Sequence, residues 1–348
     1  MQSMRITVKS VVRKLNIRNW IQLGMFALTT GIGLQFYLFV RQASMGGPVT
    51  ISRPGGVEGF LPIGALIGWK RFVVTGEWDA VHPAAMVILG FALLVSLLFH
   101  KSFCSWICPV GALSEGMWKL GGKITGKNVR IHPFIDYPLR SIKYLLLLFF
   151  VYVACSMGAD EISAFIQSPY YKMADVKMLH FFTRMSLTTA VVLGVLTVGS
   201  LIFRNFWCRY FCPYGALMGI AAVFSPWRIH RHEQVCINCE KCTQACPSHL
   251  PVSRKNRINS PECTGCMDCI SVCPKKDALE FKRMGGKNAG LTTGAMGTTI
   301  ILIFIGVVYA AQITGHWQSM ISPHEFSMRL RMIDSPELVH PAVNLKTK

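Results

Sequence analysis

The sequence predicts an all-α polytopic membrane protein of about five transmembrane helices, arranged as two parallel pseudo-repeats and interrupted by a small cysteine-rich domain. Three observations predict it. Hydrophobic residues make up 51% of the 348 and charged residues only 15%, where about 25% charged is usual in soluble proteins. Apolar runs long enough to cross a hydrocarbon core recur along the chain. One cysteine–proline pattern occurs twice behind such runs, and a denser one occurs twice within a single polar segment. The net charge of +19 forms no single stripe, because the lysines and arginines flank the apolar runs. That distribution argues against a nucleic-acid-binding face.

Residues 1–18 carry Arg5, Lys9, Arg13, Lys14 and Arg18 and no acid, and read as a cytoplasmic N-terminus. The uncharged run from Asn19 to Val40 has 22 residues, enough for a core of about 30 Å. It lacks an Ala-x-Ala exit and ends in Phe39-Val40-Arg41, so it reads as an uncleaved first span. The first repeat, 19–113, also holds a short apolar piece from Leu61 to Trp69 and a second span from Pro83 to His100. It ends in Phe103-Cys104-Ser105-Trp106-Ile107-Cys108-Pro109-Val110-Gly111-Ala112-Leu113. The second repeat, 114–217, runs through a basic connector, a third span from Ile142 to Ala159 with Lys143 placed to snorkel, and a fourth from Met185 to Phe203. It ends in Trp207-Cys208-Arg209-Tyr210-Phe211-Cys212-Pro213-Tyr214-Gly215-Ala216-Leu217. A cysteine-rich domain occupies 228–285, a fifth span lies in 288–315, and 316–348 form a polar extracytoplasmic tail. With the N-terminus inside, the inner segments hold 25 lysines and arginines and the outer ones 11. The positive-inside rule then puts the cysteine-rich domain in the cytoplasm and the C-terminus outside.

The inserted domain reads Cys236-Ile-Asn-Cys239-Glu-Lys-Cys242-Thr-Gln-Ala-Cys246-Pro247, then Cys263-Thr-Gly-Cys266-Met-Asp-Cys269-Ile-Ser-Val-Cys273-Pro274. Twice over, this is the C-x2-C-x2-C-x3-C-P run of a bacterial-type 2×[4Fe–4S] ferredoxin domain. Three cysteines two residues apart let one tight loop wrap three corners of a cluster, and the fourth thiolate is carried to the other one. The expected ligand sets are Cys236, Cys239, Cys242 and Cys273 for one cluster, and Cys263, Cys266, Cys269 and Cys246 for the other. Zinc ribbons separate their ligand pairs by longer spacers, and disulfides do not suit the reducing cytosol.

The Cys104/Cys108 and Cys208/Cys212 pairs lie 104 residues apart, and each continues as Pro-x-Gly-Ala-Leu. Parallel repeats related by an axis along the membrane normal would bring all four cysteines together at the membrane surface. Three uses stay open: a redox centre shared across the axis, with two thiolates from each half; a dithiol site for another metal or for redox exchange; or duplicated helix-end cysteines that only pack. Cys155, alone in an apolar run, reads as packing.

These motifs together resemble the membrane polyferredoxins of the NapH, NosR and CcoG group, over roughly residues 15–315. Lacking a large extracytoplasmic flavin domain and a long C-terminal immunoglobulin-like extension, the chain is most similar to the NapH-like members. The resemblance implies a bacterial cytoplasmic-membrane component of a quinol dehydrogenase or other respiratory oxidoreductase complex. It would pass electrons between the quinone pool, its clusters and a partner: an iron–sulfur protein, a multihaem c-type cytochrome or a periplasmic reductase subunit. The alternative is a CcoG-like copper reductase or assembly factor, or a redox-regulatory membrane protein.

No apolar run carries a central histidine and there is no Cys-x-x-Cys-His, which argues against haem. Glu58 and His82 are weak candidates for binding quinone at the outer boundary, where a hydrogen-bond partner and a proton acceptor are needed. Ordinary interfacial anchoring is the preferred account of both. His316, His324 and His340 with Arg329 and Arg331 mark the tail as a solvated segment or a docking site for a periplasmic partner. Arg254, Lys255 and Arg257, between the two cysteine motifs, form a solvated loop or a docking site for an acidic redox partner.

Overall fold

A computed structural model describes residues 16–45, 49–126, 129, 131–285, 290–335 and 338. Arg5, Lys9, Arg13, Lys14 and His340 lie outside them. The chain is mostly helical. Among the described residues three helices are long and apolar enough to cross a membrane: Ile17–Met45, Pro133–Ser156 and Thr293–Ile313. A fourth is counted if Ala174–Thr183 and Leu187–Ile202, which follow each other across a short break, make one bent span. The Pro83–Phe99 helix, where the second span is expected, has 17 residues, which sits at the lower limit for crossing (about 17–25). The Pro133–Ser156 helix starts nine residues before the expected third span and takes in part of the basic connector.

The residues fall into two compact units. The first comprises Met1–Phe26, Ala92–Leu148 and Val191–Ile303. Its cysteine-rich lobe departs from an all-α chain. Strands β1 (Trp227–Arg231) and β2 (Leu279–Arg283) pair antiparallel, with Trp227 opposite Arg283 and Ile229 opposite Phe281. The period-two pattern puts Ile229, Leu279 and Phe281 inside, each at most 5% exposed, so this ribbon is the floor on which the cysteine loops rest. The short helices Ser102–Trp106 and Phe206–Tyr210 each end in a turn, and prolines then open the Pro109–Thr125 and Pro213–Val223 helices. Proline suits that first position because its missing N–H would have no helical partner there.

The second unit comprises Ala27–Phe91, Phe149–Ala190 and Phe304–Lys348. The expected short apolar piece, Leu61 to Trp69, falls in the helix Pro62–Thr75, which follows a 3-10 turn, Gly55–Phe60. At 14 residues this helix is about 21 Å long by the 1.5 Å rise, too short to cross. The tail is more ordered than a solvated segment. A helix from Pro323 to Arg331 is capped by Ser322, whose hydroxyl accepts the Glu325 N–H at 3.1 Å. It buries Phe326 and Leu330 against Phe36, Phe39, Val40 and Met173.

Candidate functional site: a cysteine lobe docked on two paired-thiol turns

Both Cys-x3-Cys-Pro segments fold alike. In the first, the amides of Ile107 and Cys108 donate to Phe103 O at 3.0 Å each; in the second, those of Phe211 and Cys212 donate to Trp207 O at 3.0 and 3.1 Å. Cys108 and Cys212 thereby become the N-cap residues of the following helices. The Cys212 sulfur accepts the Gly215 N–H at 3.2 Å, and Cys108 receives the equivalent help from Gly111 and Val110. The exposed amides of a helix start favour a thiolate. The glycine of the motif is sterically required only once. A Cβ on Gly111 would lie 2.1 Å from Cys104 O, whereas one on Gly215 would meet nothing nearer than 3.5 Å.

The structure brings Cys104, Cys108, Cys208 and Cys212 within electrostatic reach of one another. Each is partly exposed, yet enough protein surrounds them that burial pushes the Cys104 thiol up to about 12 and the Cys108 thiol up to about 11. Ionised together, such thiols need cationic company. Lys101, 4% exposed, is within electrostatic reach of Cys104, Cys212 and Cys208, and of the Glu262 carboxylate. Lys143 does not snorkel: it is fully buried and its Nζ donates to both Glu262 oxygens at 2.6 and 2.7 Å. Tyr144 adds a hydrogen bond to Glu262 at 3.2 Å. Burial opposes ionisation of Glu262, but Lys101 and Lys143 hold its carboxyl below the usual range.

In the lobe the two cysteine loops share one backbone course. Asn238 and Glu240 have φ of +53° and +57°, and the corresponding Gly265 and Met267 have +59° and +60°. Left-handed residues on either side of the second cysteine curl each loop inward, which non-glycine residues adopt only where the surroundings hold them. Cys236, Cys239, Cys242 and Cys273 line one open cavity together with Arg231 and Lys275. The amide of Asn238 and the Arg231 side chain hold the Cys236 thiol below its usual range. In the other set, Cys246 and Cys269 are within electrostatic reach of each other and of both Cys263 and Cys266, and burial raises all four thiols. Among the described residues no three His, Cys, Asp or Glu side chains converge closely enough to hold a single metal ion. Thiolates that each bind a different iron of one cluster need not converge so, and two tetrads of soft sulfur ligands fit [4Fe–4S] chemistry.

The two sets differ in what covers them. The first stays open, with Cys239 exposed. The second is sealed by the paired-thiol turns. From the first turn, His100 Nδ1 donates to Cys263 O at 3.0 Å, Ser105 to Thr264 O at 2.6 Å, and Trp106 Nε1 to Gly265 O at 3.2 Å. From the second, Arg204 donates to Gln244 O at 3.1 Å and Cys246 O at 3.4 Å, and Arg209 to Ser248 O at 3.0 Å. Because Cys263 O can only accept, Nδ1 carries the His100 proton, and the buried Nε2 has no hydrogen-bond partner among the described residues. Arg209 also forks onto Asp136 at 2.9 and 2.7 Å. Arg18 joins the Glu115 oxygens at 2.8 and 2.6 Å and Asp268, between Cys266 and Cys269, at 3.2 Å. None of these partners could be paired from sequence, although charges such as Arg18, Asp136 and Lys143 within or beside apolar runs signal that partners exist.

Glu58 and His82 belong to the second unit and are both fully buried. Arg53 donates to Glu58 at 3.0 Å and to Asp175 at 2.9 Å. His82 Nδ1 stands 3.4 Å from Glu58, while its Nε2 donates to Tyr171 O at 2.8 Å. Tyr171 in turn donates to Asp79 at 2.6 Å. Burial disfavours the charged ring, but the Glu58 hydrogen bond and charge leave the His82 pKa raised. His316 packs edge-on against Trp78, His324 is exposed, and Cys155 is exposed with its carbonyl accepting from Lys70 at 2.9 Å.

Fold and sites together define a helical membrane-type protein with a two-motif iron–sulfur lobe, and comparison with known proteins gives the family. A "4Fe-4S binding domain" family matches residues 81–128 and again 185–232, and a "4Fe-4S dicluster domain" family matches 228–274. YccM of Escherichia coli (strain K12), whose name assigns it provisionally to electron transport, is 43% identical over 314 residues, covering 89% of this chain and 88% of that one. The ferredoxin-type protein NapH of Haemophilus influenzae is 25% identical over 222 residues, 59% of this chain and 72% of its own. The regulatory protein NosR of Pseudomonas aeruginosa is 27% identical over 190 residues, 54% of this chain but only 26% of NosR. The chain belongs to the NapH/NosR group of 4Fe–4S membrane proteins, in the family that includes YccM. No solved structure matches it.

Proposed function

We propose that the protein is a membrane-bound electron carrier that relays single electrons between the quinone pool and a partner oxidoreductase. The cysteine lobe would hold two [4Fe–4S] clusters, one on Cys236, Cys239, Cys242 and Cys273 and one on Cys263, Cys266, Cys269 and Cys246. A third redox centre would sit on Cys104, Cys108, Cys208 and Cys212. Bound there, the clusters supply one-electron chemistry; the chain sets their spacing, burial and electrostatics. The observation that carries this reading is the direct hydrogen bonding of the Cys263–Gly265 loop and of Gln244, Cys246 and Ser248 to both paired-thiol segments. These bonds tie two of the lobe's loops to both segments and support a short path between the proposed centres. The buried Lys101 supports the third centre: beyond the Glu262 carboxylate, it has Cys104, Cys212 and Cys208 within electrostatic reach and would favour thiolates there.

The names of the relatives, an electron transport protein and a ferredoxin-type protein, agree with electron transfer. The finer parts of the reading rest on the sequence: five spans, the inner-membrane location, the cytoplasmic N-terminus and lobe, and a periplasmic tail. So does the partner, an iron–sulfur protein or multihaem cytochrome. Glu58 and His82 would serve a quinone site as proton acceptor and hydrogen-bond partner. Iron counting and electron paramagnetic resonance of the purified protein test the reading. The lobe alone should give about eight iron atoms, with further metal lost in Cys104→Ser. Iron and spectra unchanged in that variant would sink the third centre, and copper there would favour the metal-handling alternative. Quinol oxidation in liposomes that survives loss of the lobe cysteines would refute the route through the lobe.

A further inference from the structure

The two lobe tetrads are unequally placed: one is sealed by the chain's own turns, and the other faces outward with its rim unused. Around the open cavity stand side chains of two kinds. Ile237 and Val235, 55% and 40% exposed, lie next to Cys236 and give the mouth an apolar edge. Lys275 lines the cavity, and Lys241 and Lys276, both exposed, flank Cys242 and Lys275 in the chain. The nearby acids Glu233 and Glu240 are engaged, Glu233 with Arg231 at 3.0 Å and Glu240 with Arg254 at 3.8 Å, while Asp277, exposed beside Lys276, is in no ion pair among the described residues. Lys241, Lys275 and Lys276 have no such carboxylate within ion-pair distance among the described residues. An apolar centre beside a redox group, with a rim whose three unpaired lysines outnumber the one unpaired carboxylate of Asp277, has the make-up of a transient electron-transfer interface.

We propose that this face docks a small acidic one-electron carrier protein, whose carboxylates meet Lys241, Lys275 and Lys276 while its cofactor approaches the mouth at Cys239. The proposal rests on the reading of Cys236, Cys239, Cys242 and Cys273 as a cluster site. In the exchange one electron leaves the carrier's reduced cofactor and one is gained by the cluster; no bond forms and no group moves. Such a contact is fast and short-lived, steered by opposite charge, and its rate falls with salt.

The test uses the full-length protein in nanodiscs, with a reduced acidic flavodoxin as donor and stopped-flow bleaching of the cluster absorbance as readout. Iron content and resonance spectra are taken on the same samples. The second-order rate constant should fall at least about tenfold as ionic strength rises from about 0.02 to about 0.2 M. It should fall at least about tenfold at low salt in the triple variant Lys241→Glu, Lys275→Glu, Lys276→Glu. Photoreduced deazaflavin, a small neutral donor, should reduce both proteins equally fast. A rate indifferent to salt in the unaltered protein overturns the docking without any variant. Intact spectra with an unchanged flavodoxin rate in the triple variant overturn it too, as does a basic rim that instead binds phosphatidylglycerol vesicles while the flavodoxin rate stays the same. Absence of iron and of cluster spectra in the unaltered protein refutes the cluster reading itself, and the docking with it.

Discussion

Replacing Gly111 and Gly215 one at a time by alanine probes the paired-thiol turns at matched positions with opposite expectations. Both occupy the third residue of a helix behind a Cys–Pro step. At Gly111 the new methyl carbon would come to 2.1 Å from the Cys104 carbonyl oxygen, well inside the 3.4 Å at which ordinary contact begins. The obstacle is backbone, so no rotamer change relieves it. The helix start or the Cys104 turn must move, at roughly 3 kcal/mol or more. At Gly215 the nearest atom is the Cys212 sulfur at 3.5 Å, an ordinary contact. There the alanine should be neutral or stabilise by up to about 1 kcal/mol through helix propensity. Heating the detergent-solubilised proteins at one scan rate, with tryptophan fluorescence as readout, compares them. Trp106 is buried against the lobe through its hydrogen bond to Gly265 O and should report the loss. A Gly111→Ala protein as heat-resistant as Gly215→Ala, with the same metal content, would refute the reasoning.

Two further outcomes are expected. Glu262→Gln leaves the buried Lys143 ammonium without its anion, at about 3–5 kcal/mol; hydrogen exchange should then rise across residues 228–285, and equal protection in variant and parent would contradict the pairing. Because its folded carboxyl is held low, the Glu262 contribution is present above the free value of about 4.3 and fades as pH falls through the folded one. That acid limb should shrink in Glu262→Gln. His82 has the opposite sign. Its raised pKa gives stability that is full below about 6.5 and is lost as pH rises through the folded value. Exchange protection around Glu58 should therefore weaken at alkaline pH in the parent and be flat with pH in His82→Gln.

Legibility followed the range of the interaction. The cysteine loops are local: their spacing alone gave two tetrads, and Cys236, Cys239, Cys242 and Cys273 do line one cavity. The strand ribbon at 227–231 and 279–283 went unread, because two five-residue segments some fifty residues apart offer no pairing signal. The Cys-x3-Cys-Pro turns were visible as text, but not that Cys108 and Cys212 would cap helices and share their surroundings with Lys101. Lys143 has the position of a snorkelling side chain, and nothing local names its partner Glu262, 119 residues away. Long separations likewise hide Arg209 with Asp136, 73 residues apart, and Arg53 with Asp175, 122 apart. In each case the clue was a charge at an apolar place, which tells that a partner exists without naming it. The tail helix escaped notice because its apolar face is only Phe326 and Leu330 on an otherwise polar segment.

The grip on the sealed cysteine loops falls on main-chain oxygens: those of Cys263, Thr264, Gly265, Gln244, Cys246 and Ser248. A carbonyl looks the same whatever side chain it carries. His100, Ser105, Trp106, Arg204 and Arg209 therefore recognise a contour and not a text. Thr264 and Gln244 are free to vary as long as the curl imposed at Gly265 and Met267 survives. Selection on this joint would act on five donors on one side and, on the other, only on the residues that hold a shape.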